Sequence, residues 1–150
     1  MFSRLHALLA TIGDLLRSPL LLIIRLYWGW QFFIDGKGKL QNLDRVASYF
    51  AGLNIPLPRL NVIIAASIQC VCGLLLLAGL FTRFAALALA GVMCVAYATA
   101  EKEALHSIFT DSDKFVTATP FLFLLASVIA FAFGPGRFSL DALAGKGGKS

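Results

Sequence analysis

Two polar side chains that could do chemistry, Arg25 and Gln69, lie inside otherwise apolar stretches of the chain. A charged side chain at membrane depth costs about 2.5–3.5 kcal/mol on insertion scales, so such residues are usually retained for a function. Arg25 could face the protein interior and hold an anion, a carbonyl group or a partner side chain. It could equally extend its apolar stem and place its charge among lipid headgroups. Both interpretations stay open from the sequence.

Gln69 needs a hydrogen-bond partner, because an unpaired amide is costly in an apolar medium. If the helices that carry Arg25 and Gln69 run antiparallel, the two residues are offset by about 6 Å along the axis. We therefore expect them to pair. The pair would either lock the helices together or form the polar end of a site for a ring-shaped ligand. Four aromatic residues would supply the walls of that site: Tyr27, Trp28, Trp30 and Tyr97. Aromatic residues near helix ends also form interfacial belts, and the belt interpretation is the favoured one.

The three cysteines offer a second kind of site. Soft sulfur ligands select Cu(I), so Cys72, Met93 and Cys94 form an alternative metal-binding set. No Cys-x-x-Cys or Met-x-x-Met spacing accompanies them, and packing of small residues between helices explains the cysteines better. The sequence contains no phosphate-binding glycine loop, nucleophile elbow or dinucleotide fingerprint. We therefore assign no catalytic residue, and whether the chain is an enzyme stays open.

The elements that position these residues follow from composition. Hydrophobic residues make up 59% of the 150-residue chain and charged residues 14%, whereas soluble domains carry about 25% charged residues. A membrane-spanning helix needs about 20 mostly apolar residues. Four such stretches are present, at about 19–35, 60–80, 84–100 and 115–133. The pattern predicts an all-α polytopic membrane protein, a four-helix bundle in a single domain over residues 1–143.

Two amphipathic helices should flank the first span. Leucines at helical spacing in residues 5–16 predict an amphipathic helix at the N-terminus, and Pro19 is expected to begin a new helix. The glycines at 36 and 38 are expected to end that helix. Residues 40–54 predict an interfacial helix between the first and second spans. The tail over residues 144–150 is expected to be disordered.

Charge distribution bears on partners and topology. The net charge is +5, but the basic residues are scattered at helix ends, so we expect contact with the lipid bilayer and not with nucleic acid. Lysine and arginine are equally divided between the two sides of the predicted topology, so their count does not decide the orientation. The acidic residues crowd the side opposite the termini. This favours cytoplasmic N- and C-termini.

Three sequence segments in a fixed order carry a resemblance to a known family, and together they cover about residues 20–143. They are Arg25-Leu26 … Phe33-x-x-Gly36-x-x-Lys39-Leu40, Gly73-Leu74-Leu75-Leu76-Leu77 … Gly79-Leu80-Phe81-Thr82-Arg83, and Gly134-Pro135-Gly136-Arg137-Phe138-Ser139-Leu140-Asp141. In these segments the chain resembles the DoxX family of bacterial inner-membrane proteins. The resemblance implies four membrane helices and relatives in thiosulfate:quinone oxidoreductases or beside thiol-stress proteins. Gln69 stands where members often carry a glutamate, so the chain lacks a titratable group at that position.

Three functional hypotheses follow. The resemblance favours an accessory subunit of a quinone-linked or thiol-linked redox system, in which quinone is the cofactor and a partner protein carries the redox centre. The second hypothesis is a component of a small-solute transporter or channel, built as a homo-oligomer because one short chain can hardly enclose a path. The third is an assembly or scaffold protein that presents its amphipathic helices to partners.

Overall fold

The computed structural model describes residues 1–147, with side chains to residue 145, and contains only helices among them. The helices in chain order are α1 Phe2–Gln41, α2 Leu43–Gly52, α3 Pro58–Ala78, α4 Thr82–Thr99, α5 Lys102–His106, α6 Ser112–Thr117, α7 Pro120–Phe133 and α8 Leu140–Gly147. Three of them, α1, α3 and α4, are long and apolar enough to cross a membrane. The predicted all-α polytopic membrane fold is therefore confirmed.

Helices α1 and α3 form the closest contact in the fold, and glycines make it possible. A Cβ atom on Gly29 would lie 2.8 Å from the Leu77 backbone nitrogen, and one on Gly36 would lie 2.7 Å from the Ala66 carbonyl oxygen. A Cβ atom on Gly73 would in turn lie 2.9 Å from the Gly29 carbonyl oxygen. Later residues of α1 therefore face earlier residues of α3, so the helices are antiparallel. Small residues allow such contact between backbones, which drives helix association in lipid.

The first helix was expected to end at the glycines after residue 35, and that prediction was wrong. Helix α1 continues to Gln41, so Asp35, Gly36 and Lys39 are helical. Gly36 is buried against α3, whereas nothing lies within 4 Å of the position that a Cβ on Gly38 would take. The glycine at 36 serves close packing instead of ending the helix. This packing contact compensates for the low helix propensity of glycine, which costs about 1 kcal/mol relative to alanine.

The predicted break at Pro19 is also absent. Pro19 lies inside α1, so the expected N-terminal amphipathic helix and the first span are one continuous helix of 40 residues. Proline removes a single backbone hydrogen bond, and a long apolar helix can continue through it. Residues 2–17 are all exposed. The predicted helix between the first and second spans is present as α2, Leu43–Gly52.

The helix predicted over residues 115–133 is divided into α6 and α7. Ala118 is extended, and α7 begins at Pro120. In an uninterrupted helix the Pro120 ring would clash with the Val116 carbonyl group. Proline also has no N–H that could donate to that carbonyl. With 14 residues, α7 is about 21 Å long, less than the hydrocarbon thickness of about 30 Å.

The first residues of the predicted tail belong to the last helix. Helix α8 extends to Gly147, so residues 144–147 are helical, and residues 148–150 lie outside the described residues.

The apolar core lies where α1, α3, α4 and α7 meet. Its largest members are Phe32, Leu76, Leu89 and Met93.

The close contact that Gly29, Gly36 and Gly73 allow between α1 and α3 is called the glycine seam. It predicts opposite effects for alanine substitution at two glycines of α1. Gly36→Ala should lower stability by about 1–3 kcal/mol, because the added methyl group cannot fit against the backbone of α3. Gly38→Ala is the matched control and should raise stability by up to about 1 kcal/mol through helix propensity. Thermal unfolding of both variants in detergent micelles measures the difference. Equal melting temperatures for the two variants would contradict the seam.

Candidate functional site

The Arg25 side chain is 2% exposed and binds three backbone carbonyl groups. Its Nε donates to the Leu76 oxygen at 3.2 Å, and its Nη1 donates to the Phe138 oxygen at 3.0 Å and to the Pro135 oxygen. The last carbonyls of a helix have no partner within it, and a buried cation is a good donor to them. Arg25 thus ties the C-terminal end of α3 to the segment that follows α7.

The expected pairing of Arg25 with Gln69 is wrong. The Gln69 side chain is fully buried, and its Nε2 donates to Asp35 Oδ2 at 2.6 Å. Lys39 Nζ donates to Gln69 Oε1 at 2.7 Å and forms an ion pair with Asp35 Oδ2 at 2.6 Å. We call Asp35, Lys39 and Gln69 the polar triad.

Sequence reasoning missed this pair because it ended the first helix at Asp35 and placed Lys39 in the loop beyond it. An acid four residues before a lysine is the favourable spacing for an ion pair on a helix, so this spacing could have indicated the continued helix. The triad lies deep in the fold, because Gln69 follows Pro58 by 11 residues and precedes Ala78 by 9. At 1.5 Å per residue, it is about 14–17 Å from either end of α3.

The proposed aromatic walls do not come together around Arg25 and Gln69. Tyr27 and Trp30 are 56% and 50% exposed on the outside of α1. Trp28 packs edge-on against Phe123 with ring centroids 5.0 Å apart. Tyr97 is buried elsewhere, and its hydroxyl donates to the Phe115 oxygen at 2.8 Å. The exposed pair fits the interfacial-belt interpretation.

The alternative copper set is not assembled either. Met93 belongs to the core and Cys72 packs against it, but Cys94 is exposed. Among the described residues, no group of three or more histidine, cysteine, aspartate or glutamate side chains could hold a metal ion.

A second contact joins α8 to the turn between α3 and α4. The Asp141 carboxylate accepts hydrogen bonds from the backbone nitrogens of Phe81 at 2.9 Å and Thr82 at 3.0 Å. Those donors belong to the start of α4, where a negative charge is favourable. Gly79 closes the turn with φ +71°, and a Cβ there would lie 2.5 Å from the Ser139 Cβ and 2.8 Å from the Arg25 guanidinium carbon. Only glycine fits this conformation and this space.

Beside Arg25 lies a groove of about 440 Å³ between α1, α3 and the C-terminal segment. It is mostly apolar, and its polar lining includes Arg25, Arg137 and Ser139. The other groups of Arg25 bind carbonyls, but its Nη2 makes no hydrogen bond to any described residue. The groove can therefore accept an apolar molecule that presents an acceptor oxygen to Nη2.

Known proteins match this sequence. The DoxX family model matches residues 20–102, more than half of the chain. The chain belongs to the DoxX family. Inner membrane protein YphA of Escherichia coli is 31% identical over 131 residues, covering 83% of this chain and 90% of the relative. An uncharacterized protein of Haemophilus influenzae is 27% identical over 127 residues, 82% of each chain. No solved structure matches.

The family match includes Arg25 and the whole polar triad. It also includes the glycine seam and the turn at Gly79, but it ends before α7 and α8. In this DoxX protein, Arg25 thus binds the Leu76 carbonyl group inside the matched region and the Phe138 carbonyl group outside it. The ligand-binding role expected for Arg25 and Gln69 stays a prediction.

The three carbonyl bonds of Arg25 predict that lysine cannot replace it in this DoxX protein. Arg25→Lys keeps the charge but loses the planar fork, so we expect stability to fall by about 1.5–3 kcal/mol, the value of one charged hydrogen bond. Arg45→Lys, at an exposed position on α2, is the matched control and should change little. Thermal unfolding in micelles compares the two. A wild-type melting temperature for Arg25→Lys would show that the carbonyl bonds do not stabilise the fold.

Proposed function

We propose that this protein is an inner-membrane accessory subunit of a quinone-linked redox system, with no catalytic centre of its own. The inner-membrane location is supported by the name of the Escherichia coli relative. The groove beside Arg25 would hold the quinone, while a partner protein would carry the redox centre. A thiol-linked system is less well supported, because all three cysteines lie on α3 and α4, away from the residues that line the groove.

The unpartnered Nη2 of Arg25 is the observation that carries this proposal. Nη2 has no acceptor among the described residues, so an acceptor atom that reaches it can form a charge-assisted hydrogen bond. A quinone carbonyl oxygen is such an acceptor, and it brings no negative charge into an apolar groove. Arg25 is already held by its three carbonyl partners. Its remaining N–H groups are thus fixed before the ligand arrives, which reduces the entropy cost of binding.

The apolar lining fits the rest of a quinone. Leu22 and Leu26 of α1 face Leu77 of α3 across the groove, and Phe138 and Leu143 cover its C-terminal side. Leu26, Phe138 and Leu143 are all exposed, so the groove is open along its length. An isoprenoid tail could leave the groove sideways into the lipid. At about 440 Å³ the groove has room for a ring and the first part of a tail, since pockets for small molecules measure about 300–1,000 Å³.

The ends of the chain support the predicted topology. Gly136 lies against Leu21 and Ser18, and the Arg17 guanidinium lies 5.4 Å from the centre of the Phe133 ring. The end of α7 therefore meets the part of α1 that enters the bundle. This contact supports termini on one membrane side, and we propose that the side is cytoplasmic. Residues 2–17 and α8 would then offer exposed apolar surface to lipid or to the redox partner.

If a quinone occupies the groove, a larger side chain placed there should displace it. Leu26→Trp should remove most of the copurifying quinone, because the larger side chain occupies the groove while Arg25 keeps its carbonyl bonds. The measurement is extraction of the protein from its own membrane in mild detergent, followed by native mass spectrometry and chromatography of the bound lipids. Trp30→Leu and Arg59→Gln serve as controls, since both residues are exposed outside the groove.

Three outcomes separate the functional hypotheses. Stoichiometric quinone that is lost in Leu26→Trp and kept in both controls supports the redox subunit. Solute flux in vesicles without bound quinone would instead support transport. A copurifying protein without either would support a scaffold and contradict a quinone site in the groove.

A further inference from the structure

Three arginines gather at the end of the bundle where α7 finishes. Arg17 and Arg137 line one pocket of about 370 Å³. Arg83 lies beside the same turn, since a Cβ atom on Gly134 would lie 3.4 Å from the Arg83 Nε. Neither ion pair among the described residues involves an arginine of this group. Arginines that cluster around a pocket without a paired carboxylate favour a ligand that carries negative charge.

The turn that follows α7 brings Arg137 to the same pocket as Arg17. Gly136 has φ +76°, a conformation that favours glycine, and a Cβ atom there would lie 3.7 Å from the Ser18 carbonyl oxygen of α1. Arg25 binds one backbone carbonyl group before Arg137 in the chain and one after it. The backbone of the pocket is therefore held in place before any ligand arrives, which reduces the entropy cost of binding.

Arg17 is positioned by an aromatic ring and keeps its hydrogen-bonding capacity. Its guanidinium carbon lies 5.4 Å from the centre of the Phe133 ring, which also lines the pocket. This cation–π contact engages the charge but supplies no acceptor oxygen, so the N–H donors of the guanidinium can bind one from a ligand. The planar fork of an arginine matches two oxygens of a phosphate group. Phosphate is therefore the anion that Arg17 and Arg137 fit best.

An acid in the same pocket restricts the ligand further. Asp14 lines the pocket three residues before Arg17, about 4.5 Å along the axis of α1. Residues at this spacing on a helix can pair, but Asp14 forms no ion pair with Arg17 or with any other described residue. A carboxylate here repels a ligand that is only negative and attracts an ammonium group on the same ligand. The pocket thus offers separate partners for a phosphate and for an amine.

The surroundings of the pocket favour a lipid as the source of these groups. The pocket lies where α7 ends, and the ends of membrane helices lie among the headgroups. Leu16, Leu20 and Phe133 beside it are all exposed. Acyl chains would cover these side chains, whereas a soluble phosphate ester would leave them in water. Basic pockets between membrane helices are known to bind phospholipid headgroups.

We propose that Asp14, Arg17 and Arg137 form a headgroup site for a phospholipid that carries a primary amine, such as phosphatidylethanolamine. Arg17 and Arg137 donate to the phosphate oxygens, and Asp14 accepts from the ammonium group at the other end of the short ethylene link. Each charge of the headgroup then has a partner of opposite sign. Arg137 also lines the groove beside Arg25, so the lipid would border that groove. Asp14 and Arg17 do not line the groove, and the headgroup site does not depend on a quinone.

The preference between two headgroups can be measured by native mass spectrometry. The protein, freed of lipid in mild detergent, is titrated with phosphatidylethanolamine or with phosphatidylglycerol of the same acyl chains. We expect Asp14→Asn to lower the preference for phosphatidylethanolamine by about 2- to 5-fold, the range for an exposed ion pair. Arg17→Gln should weaken the binding of both lipids. Asp44→Asn and Arg4→Gln remove exposed charges outside the pocket, so these matched controls should keep the wild-type values.

The headgroup without its acyl chains, glycerophosphoethanolamine, separates a lipid from a soluble phosphate ester. It should compete poorly with the lipid, and competition at equal concentration would overturn the lipid assignment. A preference that is the same in Asp14→Asn as in the wild type would show that no amine is bound there. Unchanged affinities in Arg17→Gln would show that the phosphate lies elsewhere. Quinone content does not enter these readouts, so their failure is separate from that of the proposed function.

Discussion

The close antiparallel contact between α1 and α3 determines where every polar side chain in this protein lies. Gly29, Gly36 and Gly73 bring the two backbones to a distance that no side chain would allow. The contact fixes the register between the helices as well as their distance. One turn of slippage would move Arg25 away from the carbonyl of Leu76 and Asp35 away from Gln69. In lipid, where apolar association gives little net energy, such packing and the buried polar bonds must supply the stability.

This register creates two polar centres of different character on one helix. Arg25 and Asp35 are ten residues apart on α1, about 15 Å along its axis. At the first centre, an arginine that keeps its charge binds neutral carbonyl groups and joins α3 to the C-terminal segment. At the second, an acid and a lysine compensate each other beside an amide. The first centre suits fixed structure and binding of an acceptor oxygen, whereas the second joins the end of α1 to the middle of α3.

The sequence predicted the helical membrane fold because that depends on composition and on the length of apolar stretches. It also predicted that Gln69 needs a buried partner. It could not identify that partner, because glycine both ends helices and permits close helix contact, and only the neighbouring helix decides which role applies. At Gly36 the second role applies, so α1 continues and brings Asp35 to Gln69. Arg25 was assigned the wrong partner, because carbonyl groups at the end of α3 and beyond α7 leave no signal in the residue types.

The central claim is that α1 remains helical through residue 41 and buries the Asp35 side of that segment against α3. Nitroxide labels placed one at a time at positions 30–41, leaving out residue 36, test it in a cysteine-free protein in lipid bilayers. Collisions with oxygen and with a water-soluble nickel complex report the surroundings of each label. The account predicts a helical period that continues to residue 41, with low accessibility to both reagents at positions 32 and 39. Uniform access to the nickel complex from residue 37 onward would contradict it, because the helix would then end before the polar triad can form.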